Sequence, residues 1–155
     1  MDGLKTFLWF DSQAEEAAQF YTSVFRDGAI TAVHYNTEAG PGPVGQVMLV
    51  EFELNGQKFA ALNGGPTQFA FNESVSIMVT CADQAEVDYY WDALMADGGR
   101  PNVCGWLYDK YGLCWQVAPT AFFEIVGGPD KDRAARATAA MLQMTKFDIA
   151  ALERA

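Results

Sequence analysis

Few side chains in this sequence are of a type and spacing suited to covalent or acid–base chemistry. Cys104, ahead of Gly105-Trp106, is a candidate nucleophile, but such a thiol needs a base beside it. The chain has one histidine, His34, and nothing in the sequence places it next to Cys104. Cys104 is therefore expected to be a buried, inert thiol, the usual state of free cysteine. His34 falls in a strand-like run and is expected to be a structural or surface side chain. Two carboxylate pairs, Glu15-Glu16 and Asp130 with Asp132, suggest proton sharing. Each pair falls in the first turn of a predicted helix, where acids stabilise the dipole, and that role is expected of both. The richest set is aromatic: Phe7, Trp9, Trp106, Tyr108 and Trp115. Period-two alternation puts Phe7 and Trp9 on one strand face with Lys5, and Trp106 with Tyr108 on one face. Such faces can line a small-molecule pocket or pack beneath helices. A mixture is expected, with Ser76, Thr80 and Gln116 looking into the pocket.

These residues need strands to carry them. Residues 3–10 (GLKTFLWF) read as a strand that stops at Asp11-Ser12. Ser12 and Glu15 have capping-box spacing, followed by Ala14, Ala17, Ala18, Tyr21, Val24 and Phe25 at helical intervals and an Asp27-Gly28 stop. Strands are expected over 29–37, 45–54 and 57–63, the last two joined by Asn55-Gly56, a pair favoured in type I′ hairpin turns. The pattern then restarts. Residues 74–81 read as a strand, and Asp83 with Glu86 repeats the capping box ahead of Val87, Tyr90, Trp91, Leu94 and Met95. Ser12-Gln-Ala-Glu15 and Asp83-Gln-Ala-Glu86 stand 71 residues apart, and Gly56–Ala60 is matched by Gly112–Gln116 as a Gly-initiated hairpin arm. This is an internal repeat of two βαβββ units.

The fold class is thus α+β, a single domain over 1–155. Module one spans 1–66, module two 72–119, and a C-terminal helical tail 120–155. In the tail, 130–144 carries Ala134, Ala137, Met141 and Met144 along one side, and 147–154 carries Phe147, Ile149 and Leu152. The stripe fits equally a surface of its own chain or a partner subunit.

With 20 acidic against 10 basic residues, the formal charge of −10 repels phosphate backbones and anionic membranes, so neither nucleic acid nor membrane is expected as a partner. Lys131, Arg133 and Arg136 alternate with Asp130 and Asp132 and read as a solvated helix face. No apolar run approaches spanning length and no leader pattern opens the chain. Three cysteines without a CxxC spacing fit a reduced, cytoplasmic setting.

Several stretches, FLWFDSQAEEAAQFYTSVF, EVDYYWDAL, CGWLYDKYGLCWQVAP and MLQMTKFDIAALERA, resemble the PhnB-like branch of the vicinal-oxygen-chelate (glyoxalase/bleomycin resistance) superfamily. Members of that branch often carry the label 3-demethylubiquinone-9 3-methyltransferase. The resemblance implies a concave sheet enclosing a small-molecule cup. A methyl transfer from S-adenosylmethionine usually needs a Gly-rich strand–helix turn. No G-x-G-x-x-G is present, and GPGPVG and GGP read as surface loops. Metalloenzymes of the superfamily hold a divalent ion with His, Gln or Glu from the first and last strands of each module. By position these become Lys5, Ala60, Ser76 and Gln116, so no metal and no cofactor is expected. At an ancestral metal position, the Lys5 ammonium would replace the ion's charge and attract an anionic ligand, unless it is simply a lysine at a strand end.

The leading expectation is a metal-free homodimer binding a small planar or anionic ligand in a pocket of Lys5, Phe7, Trp9, Ser76, Trp106, Tyr108 and Gln116. One alternative is an enzyme in which Lys5, Gln116 or a nearby Tyr polarises a carbonyl substrate. Another is a protein that docks a partner through its tail helices.

Overall fold

The computed structural model describes residues 3–155, and its contacts divide the chain into two compact units, Met1–Phe69 and Ala70–Ala155. In the first unit, β1 (Thr6–Phe10) is followed by α1 (Ala14–Val24), β2 (Ala29–Tyr35), β3 (Val47–Leu54) and β4 (Gln57–Asn63). They form a four-stranded sheet of order β1-β4-β3-β2. β1 runs parallel to β4, and the other neighbours are antiparallel. The Asn55-Gly56 turn has both residues at positive φ, 48° and 80°, as a type I′ hairpin requires.

One face of this sheet is dry. Tyr21 of α1 stacks on Phe52 at 6.0 Å and Phe52 on Phe59 at 5.1 Å, with Ala14, Ala17 and Ala18 fully buried so that the helix lies close to the strands. Leu8 and Phe10 point into this core while Phe7 and Trp9 point away, the alternation expected of a half-covered strand.

The predicted Ser12 cap is not formed. The helix starts one position later, Gln13 occupies the cap without a side-chain bond, and Asn63 Oδ1 of β4 accepts from Ala14 N at 2.8 Å. The strand's tertiary neighbour thus takes the job that local spacing assigned to serine. β1 is also shorter than the predicted 3–10, since the ladder with β4 begins at Thr6.

The second unit repeats the plan. β5 (Ile77–Cys81), α2 (Gln84–Met95), β6 (Arg100–Pro101), β7 (Trp106–Tyr108) and β8 (Cys114–Pro119) give a sheet of order β5-β8-β7-β6, again with its first and last strands parallel. Here the capping box does form: Asp83 accepts from Glu86 N at 2.9 Å, and Glu86 accepts in return from Ala82 N at 2.8 Å. Val87, Trp91 and Leu94 of α2 are buried, as are Val79, Leu107, Trp115 and Val117 on the strands it contacts.

The tail belongs to this second unit. α3 (Thr120–Gly127), a helix not separately assigned from the sequence, starts directly after β8 and is followed by α4 (Lys131–Met141) and α5 (Ile149–Arg154). Ile125, Ala137, Phe147 and Leu152 are buried within the chain. Met144 and Thr145 carbonyls accept from Cys104 N and Gly105 N, both at 2.7 Å. Gln84 donates to Phe147 O and accepts from Ile149 N, and Lys146 pairs with Asp88 at 2.6 Å. Ala134, Ala137, Phe147 and Leu152 of the tail's apolar stripe are thus buried by its own chain, while Met141, Met144 and Ile149 stay partly exposed. Among the described residues, no helix is long and apolar enough to cross a membrane.

Candidate functional site

Each module has one sheet face turned away from its helix, and the strand registers show which residues share it. In module one, Phe7 lies opposite Ala60, which lies opposite Glu51, and Trp9, Leu62, Leu49 and His34 form the next row. Paired residues point to the same side of a sheet. Lys5, immediately before β1, reaches this face: its Nζ is 2.8 Å from Glu51 Oε2, and His34 Nε2 is 3.6 Å from Glu51 Oε1. The bond from Lys5 holds the Glu51 carboxyl below its ordinary range, with the nearby His34 adding to the effect. Glu51 was not singled out from the sequence, because its place opposite Ala60 is a matter of register. Lys5 therefore has an acidic partner on this face. The ammonium is already compensated by a carboxylate, so it does not stand as a free anchor for an anion.

Trp9 is fixed more firmly than a surface indole usually is. Its Nε1 donates to Gly65 O at 3.0 Å, Phe69 meets it edge-on with centroids 5.6 Å apart, and its ring lies flat against Gly64, where a Cβ would overlap it. It nonetheless remains 38% exposed.

In module two the corresponding row is Met78, Gln116 and Trp106. Met78 matches Phe7 across the 71-residue repeat, and Gln116 occupies the last-strand place that Ala60 holds in module one. Gln116 Nε2 donates to Ser76 Oγ at 2.7 Å. Thr80 is exposed on the same side as Met78. Tyr108 is buried and donates its hydroxyl hydrogen to Glu73 while accepting from Asn102 Nδ2 at 3.1 Å. The Arg100 guanidinium lies over its ring at 3.9 Å. The Tyr108–Glu73 hydrogen bond lowers the Glu73 carboxyl and raises the Tyr108 hydroxyl from their ordinary values. Glu73, Arg100 and Asn102 were not legible as a group, since only folding brings Glu73 to Tyr108.

Trp115 is on the opposite, helix-facing side and is 1% exposed. Its Nε1 donates to Asp109 Oδ2 at 2.8 Å, while Asp109 Oδ1 accepts from Tyr111 N and Leu113 N at 2.9 and 3.1 Å. Gly112 supplies the positive φ of 84° that closes the turn. Asp109 and Gly112 thus build the hairpin turn between β7 and β8, the strands that carry Tyr108 and Gln116.

Cys104 is half-buried in a loop with φ of 58°, not buried as expected. Cys81 and Cys114 are the buried thiols; burial pushes the Cys81 thiol up to about 12 and raises that of Cys114.

The four positions that would carry a divalent ion do not fit one. Lys5 is a cation tied to Glu51, Ala60 has no donor atom, and Ser76 Oγ is engaged by Gln116 Nε2, which leaves the Gln116 amide oxygen as the single ordinary donor of the four. Among the described residues, no three His, Cys, Asp or Glu side chains gather as a ligand set.

Two repeated βαβββ modules with an open sheet face define a glyoxalase/bleomycin resistance-like protein. Solved structures agree. A crystal structure of protein PA1353 from Pseudomonas aeruginosa aligns with a TM-score of 0.62 at 20% identity, covering 77% of this chain and 98% of that one. A mutant of the fosfomycin resistance protein FosX from Listeria monocytogenes, solved with Mn(II) and a dihydroxypropylphosphonic acid, aligns at 0.55 and 17% identity, covering 77% and 94%. The PhnB protein from Bacillus cereus is 35% identical with a TM-score of 0.69, covering 77% of this chain and all of that one. A family model described as 3-demethylubiquinone-9 3-methyltransferase matches residues 2–118. The chain belongs to this PhnB-like family of the vicinal-oxygen-chelate superfamily. No curated protein matches it.

Proposed function

We propose that the protein binds a small, planar molecule on the open sheet faces of its modules, with no metal ion in the binding step. The observation that carries this reading is the recurrence of exposed apolar side chains at repeat-related positions. Phe7 is 59% and Met78 45% exposed, on the faces that also hold Trp9, Trp106 and Gln116. Large apolar side chains left in water on matched faces are characteristic of a binding surface. The alternative in which Lys5 polarises a carbonyl has less support, because Glu51 already holds that ammonium.

The test is a thermal-shift screen of chelator-treated protein against metabolites and planar antibiotics, since a ligand that binds only the folded state raises its stability. A compound should raise the Tm of the parent protein and lose that effect in Phe7→Asp or Met78→Asp. A stoichiometric divalent ion in untreated protein, whose removal abolishes binding, would overturn the reading.

The proposal includes a homodimer in a reduced, cytoplasmic setting, without nucleic-acid or membrane partners. Three free cysteines support the redox setting. Light scattering tests the dimer, and a single-chain mass would reject it.

A further inference from the structure

We infer that module one carries a site for a small aromatic cation, in the hollow between the end of β1, the first turn of α1 and the loop that joins β2 to β3. The inference rests on the reading of the chain as a small-molecule binder and names the ligand class for this module. The hollow has a volume of about 770 Å³, the size of a drug-sized ligand's pocket. Its wall carries the carboxylates of Asp11 and Glu15 and contains no Lys, Arg or His.

The aromatic lining points to a ligand rather than to a solvated acidic turn. Trp9 lines the hollow as a locked platform, pinned by Gly65 O and Phe69 and seated on Gly64, with part of its indole in solvent. Asn36, only 7% exposed, closes the loop side of the hollow, its Nδ2 donating to Gln46 O at 3.5 Å.

A fixed π face and two carboxylates, without a basic residue, select a flat cation. The ring quadrupole and the carboxylates both attract positive charge, and an anion would meet only repulsion. A bare divalent ion is poorly served, since it prefers more oxygen ligands than two flexible surface carboxylates and an amide provide.

The probes are ethidium, a planar cation with amino groups, and anilinonaphthalene sulfonate, an aromatic anion, titrated by fluorescence into the full chain at low ionic strength. Ethidium should bind saturably. The Asp11→Asn/Glu15→Gln double variant, whose substituted side chains are exposed and whose fold is checked by circular dichroism, should weaken it about tenfold, the sum of two modest charge contributions. Gly64→Val, which displaces the indole, should weaken it as well, and the anionic probe should gain nothing from the parent carboxylates. Equal ethidium affinity in the parent and the double variant would overturn the inference. So would failure of ethidium to bind while compounds from the screen still bind in a manner sensitive to Phe7 or Met78, an outcome that leaves the broader reading standing. Failure of every compound would remove both.

Discussion

Asp109 offers a direct test of how the second module holds its open face in place. Its carboxylate is 3% exposed and accepts three hydrogen bonds, from Tyr111 N, Leu113 N and Trp115 Nε1. Replacing it with alanine removes all three acceptor contacts and strands the indole N–H of Trp115, which at 1% exposure has no access to water. A hydrogen bond to a charged acceptor contributes about 1.5–3 kcal/mol, and a buried donor left unpaired costs about 1–3 kcal/mol. These effects overlap, and the desolvation cost of the carboxylate itself disappears with it, so the net loss expected for Asp109→Ala is about 3–5 kcal/mol. Asp109→Asn keeps one oxygen for the main-chain donors but turns an NH₂ toward Trp115, and should lose about 1–2 kcal/mol. Urea denaturation reads both as lower midpoints with an unchanged slope. A double-mutant cycle with Trp115→Phe, which deletes the donor and keeps most of the ring, should give a combined loss smaller than the sum of the two single losses. An Asp109→Ala midpoint corresponding to less than about 0.5 kcal/mol, the range of ordinary surface substitutions, would refute the role given to this carboxylate.

Gly105→Ala should destabilise the second module by more than about 2 kcal/mol, seen as a lower Tm and faster proteolysis of the tail. The residue has φ of 79°, and a Cβ there would press on the Phe147 ring and lie 2.8 Å from Val117 O. Alkylation with iodoacetamide under native conditions should label Cys104 alone, because Cys81 and Cys114 are buried and their thiols raised; mass spectrometry of digested protein checks this, with all three labelled after denaturation. Lys5→Gln should flatten the acid limb of stability. Folding lowers the Glu51 carboxyl below its ordinary 4.5, so its contribution is complete above about that pH and is lost as pH falls through the lowered value. The parent should therefore lose stability more steeply than the variant in that acid range, measured by denaturation at a series of pH values.

The sites differ in how much of them could be read along the chain. Alternation correctly placed Phe7 with Trp9 and Trp106 with Tyr108, and the equivalence of Lys5 with Ser76 followed from the repeat. The capping box was equally visible in both modules yet formed in only one. At Asp83 no competing partner intervenes, while at α1 the Asn63 amide, 49 residues from Ala14, takes the helix N–H. Cys104 lies half-buried in a loop at positive φ whose main chain is bound by the carbonyls of Met144 and Thr145, a placement no local spacing announces.

Sequence by itself determined the two βαβββ units, their helix faces and their hairpin turns, because these depend on spacing and turn chemistry within a few residues. Only the tertiary structure decided which polar groups meet: Lys5 with Glu51, Tyr108 with Glu73, Gln116 with Ser76, and the tail with its own chain. Those partners are set by strand register and by chain segments tens of residues apart. A shift of one residue in register would turn the strand side chains among them, Glu51, Tyr108 and Gln116, to the other face.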